Sequence, residues 1–142
     1  MGTLTQQLEE IAQRYGLRDV YVFGSRAREI AQRAGGMSAL GPSSSSDVDI
    51  AVQPVPGSEL TARARVRLSD ELESLFDAPR VDLAILSEAP PLLAVEVIRG
   101  ELLLTADPVA QAEHELYILR RAADLAPFLR ARTQQILSAG AR

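Results

Sequence analysis

The sequence predicts an α/β protein of the α+β type, a small mixed β-sheet with flanking helices and a helical C-terminal tail. Three observations lead there. Short β-branched or aromatic runs alternate with longer segments of helical spacing. Most of the runs are closed by Gly, Pro or Asp. The 142 residues, 46% of them hydrophobic, are enough to close one core, so residues 1–142 are expected to form a single domain.

Leu4, Leu8, Ile11, Ala12 and Tyr15 fall at helical spacing, and Gly16 ends that helix. After Asp19, Val20 to Phe23 reads as a short strand stopped by Gly24, and Ser25 can cap a helix from about Arg26 to Ala34. Gly35 to Ser46, with four consecutive serines from Ser43, has the composition of a flexible loop. Asp47 to Val52 reads as the second strand, closed by Pro54, Pro56 and Gly57. Ser58 is expected to cap a long helix with Leu60, Ala64, Leu68, Leu72, Leu75 and Phe76 on one side. Val81 to Leu86 forms the third strand, a helix runs from about Pro91 to Ile98, and a brief strand covers Glu101 to Leu104. The remainder, about 107–138, is helical, with Pro127 either kinking it or starting a second helix.

Absences narrow the chemistry. All 15 basic residues are arginine, so a P-loop lysine and a Schiff-base lysine are both excluded. Without cysteine there is neither a disulfide framework nor thiolate chemistry. His114 is the single histidine, which excludes His-rich zinc sites; flanked by Glu113 and Glu115, it is expected at the surface. The net charge of −4 disfavours direct nucleic-acid binding. No window reaches the roughly 18–20 apolar residues of a membrane span. Met1 to Glu10 lacks a secretory pattern, so a cytoplasmic setting is the expectation.

Three features carry chemistry. Gly24-Ser25 joins a strand to a helix start, where free N–H groups stabilise an anion; taken alone, the pair reads first as a tight turn with its N-cap. Arg26 and Arg28 sit in the first turn, where they reach triphosphate oxygens or form a solvated face. In Asp47-Val48-Asp49, strand alternation sends both carboxylates to one face and Val48 to the other. Like charges so close repel unless a cation lies between them, and Mg²⁺ suits such oxygen donors. Asp82 lies in the apolar strand Val81-Asp82-Leu83-Ala84-Ile85, with Arg80 as a possible ion-pair partner and metal binding as the alternative.

Gly24-Ser25, then Asp47-x-Asp49, then a single Asp82 on a later strand resembles the polymerase-beta nucleotidyltransferase superfamily, most closely its minimal nucleotidyltransferase (MNT) branch. The resemblance spans nearly the whole chain, including Val97 to Leu104 and the tail with Leu125-Ala126-Pro127. It implies a polymerase-beta-like fold and a Mg²⁺-dependent nucleotidyltransferase using ATP. Members of this branch resemble antitoxins that transfer AMP to a tyrosine of a cognate HEPN RNase toxin. The resemblance assigns Gly24 and Ser25 to the phosphates, Asp47 and Asp49 to Mg²⁺, and Asp82 to a second metal site and to the base. Two alternatives remain open, an antitoxin that neutralises its partner by binding alone and nucleotidyl transfer to a small molecule. Arg26 to Ser46 make the interval before the aspartate pair longer than is usual in the family, and Glu29 stands where glycine is common there.

Overall fold

The computed structural model describes residues 2–34 and 47–140; Ser43 to Ser46 and the rest of the expected serine-rich loop lie outside them. The first helix, α1 (Leu4–Tyr15), begins at a capping box in which the Thr3 side chain accepts from the Gln6 amide. It ends at Gly16, whose left-handed φ of 64° favours a residue without Cβ. Strand β1 (Leu17–Phe23) follows at once and is longer than expected. Asp19 belongs inside it because neighbours satisfy its carboxylate: Arg18 Nε donates at 2.9 Å and Thr105 Oγ1 at 2.6 Å.

Helix α2 (Ala27–Ala34) and strand β2 (Val48–Pro54) come next. Helix α3 (Ala62–Phe76) starts later than expected. Thr61, not Ser58, caps it by accepting from the Ala64 amide at 3.1 Å, and Leu60 is buried just ahead of the helix. Strand β3 (Val81–Ile85) stops one residue early, because Leu86 opens a single 3-10 turn, Leu86–Glu88. Helix α4 (Pro91–Arg99) leads into β4 (Glu101–Thr105).

The tail is one helix, α5 (Pro108–Gly140), and Pro127 neither ends nor restarts it. Pro127 is exposed. A carbonyl freed by proline on a solvated helix can bond to water, which softens the break. No described helix is long and apolar enough to cross a membrane.

The strands form a sheet of order β3–β2–β1–β4. β1 is antiparallel to both β2 and β4, while β2 and β3 run parallel. Pleat alternation sorts the two faces. Val20, Val22, Val48, Ile50, Val52, Val81 and Ile85 share one core with Leu8, Ile11, Leu68, Leu72 and Phe76 of α1 and α3. Tyr21 and Ala51 share the other with Ala94 and Val97 of α4 and Ile118 of α5. A Cβ on Gly100 would collide with the Val22 carbonyl and the Phe23 backbone, so glycine lets the start of β4 lie against the end of β1. That end of β1 carries the site described next.

Candidate active site

β1 terminates at Phe23, and Gly24 turns the chain with φ of 78°, a conformation in which a side chain is strained. A Cβ there would also overlap the Asp49 carboxylate. The Gly24 carbonyl accepts from Ala27 at 3.2 Å, closing the turn that begins α2. Gly24 and Ser25 are both exposed, so the turn that leads into α2 is open to solvent, with Asp49 against Gly24.

The acidic group is assembled by strand register. Asp49 lies opposite Phe23 on β1 and in register with Asp82 on the parallel strand β3. In-register neighbours of a parallel pair point to the same face, so Asp82 stands beside Asp49, which itself lies against Gly24. Burial, and after it the nearby Asp82 and Asp47 carboxylates, push the Asp49 pKa up. Asp47 is exposed and sits one residue outside β2 rather than within it as expected. The Val48 amide donates to the Arg80 carbonyl at 3.0 Å, which ties the entry to β2 against the entry to β3.

Arg80 Nε approaches Asp82 Oδ1 at 3.1 Å, with both side chains largely in solvent. The ion-pair alternative and the acidic cluster therefore coexist: Asp82 faces Asp49 and is touched by an arginine. Among the described residues no three acidic or imidazole groups close around one point as they stand. Arg26 is buried and held by Glu29, with Nε at 2.8 Å and Nη2 at 2.6 Å from Oε2. Arg28 is exposed.

A polar group on the same sheet face escaped the sequence reading. His114 is half-buried, not a surface residue, and its Nδ1 lies 2.9 Å from Arg18 Nη2. Arg18 pairs with the fully buried Asp19 at 2.8 Å. Tyr21 donates to Glu115 at 2.8 Å and accepts from Gln111 at 2.7 Å, and Gln111 also bonds Glu115. These groups fasten α5 to β1. The only sequence signal was Glu115 and Gln111 four residues apart on one helical face. A groove of about 460 Å³ at the other end of the strands is lined by Arg18, Gln53, Leu60, Arg65 and Glu88. Its arginines are already engaged, Arg65 with Glu88 at 2.9 Å and Arg18 with Asp19.

Comparison with known proteins bears on this geometry. A family model described as polymerase beta, nucleotidyltransferase, matches residues 6–109. No curated protein matches. Among solved structures, a mutant MntA toxin–antitoxin complex aligns with a TM-score of 0.64 and 23% identity, over 97% of this chain and 98% of that one. A toxin–antitoxin structure with AMP-PNP gives 0.61 and 23% over 97% and 98%. The complex of a tri-AMPylated Shewanella oneidensis HEPN toxin with an MNT antitoxin gives 0.60 and 22% over 98% and 97%. At such identities the likeness is one of fold.

Proposed function

The chain belongs to the polymerase beta nucleotidyltransferase family, and from that premise we propose that it transfers AMP from Mg²⁺-bound ATP to a tyrosine hydroxyl of a HEPN-domain toxin, as its antitoxin. The observation that carries the reading is Asp49 standing against the Gly24 turn and in register with Asp82 on the neighbouring strand. The acceptor's nature is supported by the neighbours in fold, a HEPN toxin bearing AMP and a complex with AMP-PNP.

The donor set fits Mg²⁺. The hard carboxylates of Asp49 and Asp82 stand side by side, burial and after it the neighbouring carboxylates raise the Asp49 pKa, and a cation would relieve that penalty. Asp47, Asp49 and Asp82 would hold the metal, which when bound neutralises phosphate charge and aligns the triphosphate. Gly24 and Ser25 would cradle the β- and γ-phosphates with turn amides and the hydroxyl. Arg26 reaches a phosphate only by leaving Glu29; held as it is, it stiffens the turn beneath Ser25. Asp82 would take the tyrosine proton as the phenolic oxygen bonds to the α-phosphorus. The bond from that phosphorus to the β-phosphate oxygen breaks, and pyrophosphate departs. Asp82 must give up Arg80 to do this, and an exposed ion pair worth at most about 1 kcal/mol is no obstacle.

The test is label transfer from α-labelled ATP with Mg²⁺ into a lysate of the source organism, wild type beside Asp49→Asn. A single labelled HEPN protein that depends on Asp49 is the expected result. Label in small molecules, or none despite Mg²⁺–ATP binding, would sink protein adenylylation and favour nucleotidyl transfer to a small acceptor or neutralisation by binding.

A further inference from the structure

Helix α5 spans 33 residues, about 50 Å at 1.5 Å per residue. The body supports only its first half. Gln111, Glu115, Ile118, Ala122 and Leu125 step by four and three residues along one side and are buried or half-buried. Such alternating steps trace a coiled-coil seam. The seam continues at Arg132 and Ile136, seven and eleven residues beyond Leu125. There no described residue covers it: every described side chain from Pro127 to Ser138 is exposed. Phe128, Ile136 and Leu137 are 73%, 62% and 67% exposed. A bare helical segment of this length with proline at its base has little stability of its own. Exposed apolar side chains in that number mark a contact surface.

Charge selects the occupant. Residues 120–138 hold four arginines and one aspartate, net +3, against net −8 for residues 1–119, and Arg130 and Arg132 lie in the exposed stretch itself. Arg132 interrupts the apolar seam itself. Two copies of this segment side by side would bring arginine-rich surfaces together, so self-pairing is disfavoured. Nucleic acid would satisfy the arginines and leave Phe128, Ile136 and Leu137 in water, since a phosphate backbone offers no apolar face. A protein helix with an apolar stripe and acidic flanks satisfies both.

We propose that residues 120–138 of α5 are a docking arm for an acidic amphipathic helix of another protein, which packs along Ala122, Leu125 and Ile136 and sets a carboxylate against Arg132. The identity of that protein as the acceptor of AMP rests on the function proposed above; the arm itself does not. Docking there ties the partner to the helix that the Tyr21–Gln111–Glu115 bonds fix to β1, the strand ending at Gly24.

The test places a photocrosslinking residue at Ile136, or at Gln134 on the opposite side of the helix, in the full chain in cells of the source organism. The trapped protein is then purified and titrated against the wild type, Arg132→Glu and Ile136→Asp. The expected result is a protein adduct from position 136 and none from 134. Each variant should bind about tenfold more weakly or worse, with Mg²⁺–ATP affinity unchanged. Arg132→Glu should recover when the facing acid of the partner is changed to arginine. A trapped protein that is never labelled by ATP leaves the arm standing and overturns the adenylylation reading. No adduct, an adduct only to RNA or to a second copy, or undiminished binding by both variants overturns the arm.

Discussion

Asp49 is held in a place that penalises its charge. Its pKa is raised above the ordinary 3.8 by burial, then by Asp82 and Asp47. The unfolded chain therefore loses this proton at lower pH than the folded chain does. Stability falls as pH rises from 3.8 through the raised folded value, and at neutral pH the ionised group is a net burden. Asp49→Asn should unfold at a temperature equal to or above that of the wild type at neutral pH. The advantage should vanish in acid below the ordinary carboxylate range, as scanning calorimetry would show. The same variant should lower AMP transfer by about 100-fold or more, since even outer-shell partners of a metal matter 10–100-fold. Gly24→Ala meets both a positive φ and the Asp49 carboxylate. It should lower unfolding free energy by about 1–3 kcal/mol, read from urea titration. The side chains of this cluster were legible as residue types, because alternation and an apolar setting mark the three aspartates. The pairing of Asp49 with Asp82 was not. The register of Asp49 with Asp82 depends on pairing between strands separated by α3, which local pattern does not encode.

At the scale of the element, α5 shows where local reading stops. Its helical spacing was plain, and its continuity through Pro127 was not, because proline ordinarily breaks a helix and only the exposure of this stretch softens the break. His114 looked like a surface residue since its partner Arg18 lies 96 residues earlier in the chain. Burial, and after it the Arg18 charge, lower the His114 pKa below the ordinary 6.5, against weaker opposition from Asp19 and Glu115. The unfolded chain thus takes up this proton first as pH falls. The stability that neutral His114 supports is present above pH 6.5 and is lost on acidification below it. The urea midpoint should fall between about pH 7 and about pH 5.5. His114→Gln, whose amide oxygen can still accept from Arg18, should flatten that slope. A slope unchanged in the variant would remove His114 as its cause. Proline in a helix interior is unfavourable by about 3 kcal/mol, so Pro127→Ala should slow amide exchange around residues 123–131. The global midpoint should move less, because that stretch packs on little of the body.

The distribution of charge over the whole molecule dictates how it meets a nucleotide. Residues 1–119 hold eighteen acids against ten arginines, and the Asp47–Asp49–Asp82 cluster lies in this part. A triphosphate approaching without a metal meets that field unfavourably, and the chain has no lysine to offset it. Binding must therefore be strongly coupled between ion and nucleotide, each supplying the charge that the other needs. The coupling predicts a thermal-shift pattern that separate sites would not produce. ATP with chelator should leave the melting temperature unchanged, and Mg²⁺ alone should raise it slightly by relieving the carboxylates. Mg²⁺ with a non-hydrolysable ATP analogue, at roughly a hundredfold over Kd, should add about 2.7 kcal/mol. For a chain of this size that corresponds to several degrees. In Asp49→Asn the shift from the pair should collapse towards that of the analogue alone. Equal shifts with and without Mg²⁺ would mean that the nucleotide binds away from the aspartates, and the register-built site would lose its role.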